Sequence, residues 1–155
     1  MPGTAETDDK FGSALDVTDL KSDGIAHIVV GCPGEAIGTK TYAGAVTVIP
    51  GRRTGKPGTG AYTITQDTQN VPGSSESGDE FGSSLAAGDV NKNGRPELII
   101  GGYGDDGYRG AVWALPGTTS GPTHRLRREH RNPTRPQGRL HLPRRRDHPL
   151  THCVS

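Results

Sequence analysis

The hydrophobic residues of this chain are concentrated in short runs that glycine, proline and polar residues interrupt. One run, from Ile25 to Val30, lies between Gly24 and Gly31, and a similar run, from Leu98 to Ile100, precedes Gly101. Continuous apolar runs this short, rich in β-branched residues, are typical of strands that are buried on both faces. They predict one central strand in each half of residues 1–122.

Other segments alternate between apolar and polar residues, as strands with one buried face do. Ala43 to Ile49 and Ala111 to Leu115 alternate in this way before a Pro-Gly turn signal, and Ala61 to Thr65 alternates as well. The segments Phe11 to Val17 and Phe81 to Ala87 supply one further strand each. Residues 1–122 contain no convincing helical period, so the chain is predicted to be all-β.

The two halves are copies of one repeat. The segment Asp9-Lys10-Phe11-Gly12-Ser13-Ala14-Leu15 matches Asp79-Glu80-Phe81-Gly82-Ser83-Ser84-Leu85 at an offset of 70 residues. After a four-residue change, Gly44-Ala45-Val46 matches Gly110-Ala111-Val112 at an offset of 66. A surface loop tolerates such a length change. The repeat predicts two antiparallel units of about four strands each, joined by glycine-rich turns.

The second copy is predicted to be incomplete, because residues 127–131, where its fourth strand would fall, are Arg-Arg-Glu-His-Arg. Residues 123–155 hold 9 basic and 2 acidic residues (net +7), and residues 1–122 hold 9 basic and 15 acidic residues (net −6), which sum to the +1 of the chain. We expect a flexible N-terminus over 1–7, a first unit over 8–70, an incomplete second unit over 71–122 and a basic disordered tail over 123–155. The tail is either native sequence or the product of a shifted reading frame.

The segment most informative about chemistry runs from Asp89 to Glu97 and carries oxygen-bearing side chains at its positions 1, 3, 5 and 9. Gly94 at position 6 permits a sharp turn that aims the carbonyl of position 7 inward. Ca²⁺ takes about six to eight oxygen ligands, and two carboxylates give modest affinity. The alternative is a metal-free turn rich in Asp and Asn. The predicted Ca²⁺ ligands are Asp89, Asn91, Asn93, Arg95 (main-chain carbonyl) and Glu97.

The corresponding segment of the first copy, Asp19 to His27, keeps positions 1, 5 and 6 but has Lys21 at position 3 and His27 at position 9. An ammonium has no lone pair to offer, and an imidazole nitrogen is a poor ligand for Ca²⁺. We therefore expect no Ca²⁺ binding in this loop. One hypothesis places the Lys21 ammonium between Asp19 and Asp23, in the position of the ion, and the alternative leaves it in solvent.

These features together resemble the FG-GAP repeat of integrin α-subunit β-propellers and of secreted bacterial integrin-like proteins. The resemblance rests on the Phe-Gly pairs, the Gly-Ala-Val strands and the calcium-type loop of the second copy. Gly31-Cys32-Pro33 matches the family's Gly-Ala-Pro with one change, whereas Gly101-Gly102-Tyr103 departs from it at two positions. The resemblance implies four-stranded antiparallel propeller blades, Ca²⁺ that rigidifies a blade, and extracellular recognition or adhesion.

Propellers of this family have about seven blades, whereas the chain has two copies of the repeat. The resemblance therefore implies an incomplete propeller, with further blades missing from this chain or supplied by other chains. The family is extracellular, but the N-terminus has neither the basic start nor the apolar stretch of a secretory signal, so localisation is left open. No apolar run approaches the ~20 residues of a membrane span.

The leading functional interpretation is a non-enzymatic, calcium-binding recognition or adhesion module with a protein or extracellular-matrix-type ligand. The alternatives are accessory blades of a secreted hydrolase, or a truncated gene product without independent function. The basic tail could bind phosphates without specificity, but it has no aromatic residue for base stacking, so no specific nucleic-acid partner is expected.

No catalytic grouping of Ser, His, Asp or Cys is visible in the repeats, so we predict no enzyme activity. Asp105 and Asp106 could be paired carboxylates for acid–base chemistry, but a solvated turn is the favoured interpretation. Glu76, Asp79 and Glu80 are predicted to form a polar loop between the two units. Cys32 and Cys153 indicate neither a metal site nor a redox pair, and a disulfide between them is left open.

Overall fold

The computed structural model describes residues 6–118 and the main chain of residues 127–130. These residues form two four-stranded antiparallel sheets, each with its strands in sequence order. Blade 1 consists of β1 (Ala14–Thr18), β2 (His27–Cys32), β3 (Ala45–Ile49) and β4 (Tyr62–Ile64). Blade 2 consists of β5 (Phe81–Gly88), β6 (Glu97–Gly102), β7 (Ala111–Pro116) and β8 (Arg127–His130). The predicted all-β fold of antiparallel blades is confirmed.

Blade 2 has a fourth strand that the sequence pattern did not indicate. Strand β8 pairs antiparallel with β7, with a register that runs from Ala111↔His130 to Ala114↔Arg127. Pairing along a sheet edge needs an extended main chain and free hydrogen-bonding groups, not an alternation of apolar side chains. The prediction that blade 2 lacks this strand was therefore wrong. The rest of the predicted disordered tail, residues 123–126 and 131–155, lies outside the described residues, and so do residues 119–122 of the predicted second unit.

Between β6 and β7, the described chain contains one short helical turn, α1 (Asp105–Tyr108). Asp106 and Gly107 have φ angles of 52° and 68°, so this segment is a tight turn rather than a regular helix. No helix in the described part of the chain has the length and apolar character needed to cross a membrane.

The hydrophobic core lies between the two blades. Val29 pairs with Val48 in blade 1, Ile100 pairs with Trp113 in blade 2, and all four side chains are fully buried. Phe81 packs edge-on against Trp113 with 4.9 Å between the ring centroids. The core comprises Leu20, Val29, Val46, Val48, Ile64, Phe81, Leu98, Ile100, Ala111, Trp113 and Leu115. One face of each sheet is therefore buried against the other sheet.

The segment that enters β5 also joins the blades through its main chain. The amides of Glu80 and Phe81 donate to the carbonyls of Tyr42 and Ala43 at 2.9 and 3.1 Å. Gly82 follows with a φ of 91°, a left-handed conformation that glycine adopts without steric cost. The Phe-Gly pair of the repeat is thus a structural joint between consecutive blades.

Cys32, at the end of β2, is a free and buried thiol. Burial raises the pKa of Cys32 to about 11, so the sulfur is protonated and unreactive near neutral pH. Cys153 lies outside the described residues.

Candidate metal centre

The candidate site is the loop between β5 and β6, here called loop 2 (residues 89–97). Asp89 Oδ1 accepts a hydrogen bond from the Asn93 amide at 2.9 Å, and Asp89 Oδ2 accepts one from the Gly94 amide at 2.8 Å. Lys92 and Gly94 have φ angles of 60° and 82°, which turn the chain back around the carboxylate. The loop is therefore wrapped around its first side chain.

The two asparagines add further oxygens to the same turn. Asn91 Oδ1 accepts from the Asn93 amide at 3.0 Å, and Asn93 Oδ1 accepts from the Arg95 amide at 2.9 Å. A carbonyl oxygen has two lone pairs, so each of these side chains can still accept a second interaction. Arg95 contributes its amide to this network, and the role of its carbonyl as a metal ligand stays a prediction.

Glu97 closes the loop from the first position of β6. Its side chain is buried, with Oε2 accepting from the Val90 amide at 3.0 Å and Oε1 accepting from Asn91 Nδ2 at 2.5 Å. The carboxylate at the end of the loop is thus tied to residues at its start. The structure brings the four predicted side-chain ligands together in one hydrogen-bonded network.

The donor set of loop 2 suits a hard cation. Its four side chains offer oxygen only, and the carboxylates of Asp89 and Glu97 supply a charge of about −2. Among the described residues, no three His, Cys, Asp or Glu side chains are grouped to hold a metal ion. Loop 2 would therefore have to complete a shell with neutral amide and main-chain oxygens, which Ca²⁺ accepts more readily than transition metals do.

Loop 1 (residues 19–27), between β1 and β2, has the same shape without the same ligands. Asp19 accepts from the amides of Asp23 and Gly24 at 3.1 and 2.7 Å, and Ser22 and Gly24 have φ angles of 53° and 78°. Partial desolvation raises the pKa of the Asp19 carboxyl, but hydrogen bonds from the loop amides, led by that of Gly24, outweigh it and the pKa is lowered. The loop shape survives where the ligand set does not.

Lys21 does not take the position of an ion in loop 1. In the described part of the chain it forms no ion pair with Asp19 or Asp23, and the ion pair found there joins Lys40 to Asp67 at 3.5 Å. The hypothesis that the Lys21 ammonium bridges the two carboxylates was therefore wrong. Main-chain amides compensate the Asp19 charge instead, because the turn already directs them at it.

The two loops lie against each other. Ser22 Oγ donates to the Gly94 carbonyl at 3.2 Å. Leu20, the second residue of loop 1, is fully buried in the core between the blades. The equivalent residue of loop 2, Val90, is 67% exposed. Leu20 of loop 1 is therefore covered by blade 2, whereas the same position of loop 2 faces solvent.

A group of buried carboxylates was not expected from the sequence. Asp79 and Asp105 are 4% and 2% exposed and line a cavity of about 60 Å³ with Glu76 and Asp106. The prediction of a solvated turn was therefore wrong for Asp105, whereas Asp79 lies in the predicted loop between the blades but is buried there. Asp79 Oδ2 accepts from Gln66 Nε2 at 2.8 Å and from the Glu76 amide at 2.7 Å, so it organises the connection between the blades.

Burial raises the pKa of the Asp79 carboxyl, and the neighbouring charge of Asp105 raises it further. A signal for this role was present in the repeat. Asp9, the equivalent of Asp79, accepts from the Glu6 amide at 2.7 Å in the same way. The Glu-x-x-Asp spacing recurs in both copies and marks a turn, but only tertiary packing buries the second one.

Comparison with known proteins identifies the repeat. The FG-GAP repeat family profile matches residues 81–115, which run from the Phe-Gly joint through loop 2 to the end of β7. The chain is 31% identical over 116 residues to the phosphatidylinositol-glycan-specific phospholipase D of Rattus norvegicus, covering 72% of this chain and 14% of that protein.

Integrin subunits are similar over comparable stretches. The chain is 36% identical over 106 residues to the integrin alpha-5 of Xenopus laevis, covering 65% of this chain and 9% of that protein. It is 31% identical over 128 residues to the integrin alpha-PS5 of Drosophila melanogaster, covering 79% of this chain and 12% of that protein. The chain thus spans a small part of the length of these relatives. The matching repeat, the two blades and the shared Phe-Gly joint together place the chain in the FG-GAP repeat family.

Proposed function

We propose that this chain is a non-enzymatic FG-GAP module whose second blade binds Ca²⁺ through loop 2. We propose further that the module functions in extracellular recognition or adhesion. The observation that supports the calcium proposal is that the oxygen-bearing side chains of Asp89, Asn91, Asn93 and Glu97 belong to one hydrogen-bonded loop network. Bound Ca²⁺ would supply positive charge at the centre of that network. The chain's own contribution is to hold each of the two carboxylates in the loop by amide hydrogen bonds before any ion arrives.

The recognition role rests on similarity. Two integrin α subunits match 65% and 79% of the chain, and the matched stretch is built from blades rather than from a catalytic cleft. We propose a protein or extracellular-matrix-type ligand, with an extracellular location.

A second candidate function is that of accessory blades for a hydrolase. It is favoured by the match of 72% of the chain to a phospholipase D. The two candidates differ in what else they require, since an accessory blade acts through an attached catalytic domain. Pull-down of immobilised chain against matrix proteins, beside a phospholipase domain supplied in trans, would separate them. Capture of a matrix protein supports the recognition role, and capture of the phospholipase domain alone contradicts it.

Isothermal titration calorimetry with Ca²⁺ tests the metal proposal. The wild-type chain should bind one Ca²⁺ with a Kd of about 10⁻⁴–10⁻³ M, the range of low-charge extracellular sites. Asp89→Asn should weaken binding at least about tenfold, because it removes one of the two ligand charges. Asp19→Asn is the matched control, since Asp19 makes the same two amide contacts in loop 1, and it should leave the Kd unchanged. Loss of binding in the control but not in Asp89→Asn would overturn the assignment.

A further inference from the structure

The contact between the two blades has the form of a corner inserted into a slot. The corner is Phe81–Gly82, and the slot is a notch in blade 1 formed by Gly31, Tyr42, Ala43, Gly44 and Ala45. A Cβ added at Gly31 would lie 2.1 Å from the Gly82 carbonyl oxygen, and one added at Gly44 would lie 2.3 Å from that of Phe81. Glycine at these positions is therefore what lets the corner enter.

Blade 2 carries an equivalent slot, and this slot is open. It is formed by Gly101, Tyr108, Arg109, Gly110 and Ala111, which line a groove of about 400 Å³. A Cβ added at Gly110 would meet nothing closer than 3.5 Å, in contrast to the clash with Phe81 at Gly44. At Gly101, the equivalent of Gly31, an added Cβ would lie 2.2 Å from Ser84 Oγ, so among the described residues the slot of blade 2 is open at Gly110 and is bordered by the Ser84 side chain at Gly101.

Blade 1 carries an equivalent corner, and this corner is free. Gly12 has the same φ of 91° as Gly82, so Phe11–Gly12 already has the inserted conformation. Phe11 is 50% exposed, whereas its equivalent Phe81 is fully buried against blade 1. The corner in blade 1 therefore matches in shape the one that the internal contact uses.

The surfaces around the corner and the open slot are apolar as well. Leu15, Val17 and Ile28 are exposed on β1 and β2, the strands that follow the free corner, by 64%, 63% and 45%. Val112 is 47% exposed in the lining of the open slot, and Val90 of loop 2 is 67% exposed elsewhere on blade 2. The repeat equivalents of the last two, Leu20 and Val46, are fully buried in the internal contact. Burying such surface removes apolar area from water and stabilises association.

We propose that two copies of this chain associate head to tail, with Phe11–Gly12 of one copy inserted into the Gly101–Gly110 slot of the other. A second copy is the occupant for which the chain itself supplies both halves of the contact, and the blade 1–blade 2 joint is its template. The interface is heterologous, so it repeats until it closes into a ring or grows into a filament. Propellers of four to eight blades close on themselves, which corresponds to about two to four copies of this two-bladed chain.

Sedimentation velocity over a concentration series tests the proposal with the full chain. The wild type should form concentration-dependent oligomers. Phe11→Asp places a charge on the corner and Val112→Asp places one beside the slot, and each should weaken self-association at least about 30-fold, as loss of a central interface residue does. Both sites are exposed, so both variants should keep the circular dichroism of the wild type. Thr54→Asp, in an exposed loop away from both surfaces, is the matched control and should associate like the wild type.

Mixing the two blocked variants gives the decisive measurement. Val112→Asp keeps an intact corner and Phe11→Asp keeps an intact slot, so an equimolar mixture should form a 1:1 dimer and nothing larger. A wild type that stays monomeric would overturn the proposal, and would indicate that residues outside the described part fill the slot. A mixture that stays monomeric, or oligomers that persist in either variant alone, would overturn it too.

Discussion

In loops 1 and 2, some residues determine the turn and others determine what the turn can bind. Asp19 and Asp89 accept the same pair of amides, and glycine follows at the sixth position with a positive φ in both loops. Lys21 and His27 stand where loop 2 has Asn91 and Glu97, so loop 1 keeps its turn but lacks two oxygen ligands for a metal. Under the proposed Ca²⁺ assignment, loop shape and metal affinity are therefore set by separate residues.

This separation predicts that a calcium site can be restored in loop 1. The double variant Lys21→Asn/His27→Glu gives loop 1 the oxygen-bearing residue types of loop 2 at positions 3 and 9, on a turn that is already formed. The calorimetric stoichiometry should rise from one to two Ca²⁺ per chain. Lys21→Asn alone is the control and should stay at one, because position 9 still offers nitrogen. A folded double variant that binds a single Ca²⁺ would show that loop shape is not enough.

At the scale of elements, the two blades are alike in sequence pattern but differ in what covers them. Strand β6 is buried along nearly its whole length, whereas Ile28 of the equivalent strand β2 is 45% exposed. The two equivalent phenylalanines differ in the same way, because Phe81 is buried in the joint between the blades whereas Phe11 is half exposed to solvent. The cost of truncating a residue should follow its contacts rather than its place in the repeat.

The two phenylalanines provide the test at this scale. Phe81→Ala should lower the free energy of unfolding by about 3–5 kcal/mol, because it removes a buried aromatic ring and leaves a cavity. Phe11→Ala should change it by less than about 0.5 kcal/mol in dilute monomeric chain, as exposed substitutions do. Urea denaturation followed by the fluorescence of Trp113, the one tryptophan, measures both. Equal losses would mean that the joint between the blades does not form.

At the scale of the whole molecule, the blades depend on each other through a shared core and a shared polar connection. Leu20 of loop 1 lies in that core, and Gln66, which follows β4, donates to Asp79 ahead of β5. The ionised Asp79 side chain lowers the stability of the folded molecule at neutral pH, because burial disfavours its negative charge and so raises its pKa. Its titration therefore affects the stability of both blades together.

We predict that Asp79→Asn stabilises the molecule at neutral pH. The amide oxygen can still accept from Gln66 and Glu76, while the buried charge is gone. Because folding raises the pKa of Asp79, the folded state takes up its proton at higher pH than the unfolded state does. The stability of the wild type should therefore rise relative to that of the variant as the pH falls through the raised pKa toward the ordinary value of 3.8.

Denaturation at a series of pH values checks this prediction. Asp9→Asn is the matched control, because Asp9 accepts the equivalent amide of Glu6 but is less buried, and it should change stability less. A stability difference between wild type and Asp79→Asn that stays constant from pH 7 to pH 4 would contradict the explanation.

The sequence by itself determined the strands, the repeat and the loop turns, because these depend on residues close together in the chain. β-branched runs, Pro-Gly turns and the Asp-to-Gly spacing act locally and do so in both copies. The sequence pattern did not predict β8, because this strand pairs with the main chain of β7 and Arg127–His130 has no apolar alternation. The predicted Lys21 bridge was also wrong, because main-chain amides compensate the Asp19 charge and the types of side chain in the loop do not reveal their direction.

Only the tertiary structure decided which of two equivalent residues is buried. Phe11 and Phe81 occupy the same position in the repeat, and so do Asp9 and Asp79. Their exposures differ because the second member of each pair lies where the blades meet, and that contact is made by residues far apart in the chain. Burial is a property of the assembled blades, so the open slot of blade 2 and the free corner of blade 1 became visible only once the joint between the blades was seen.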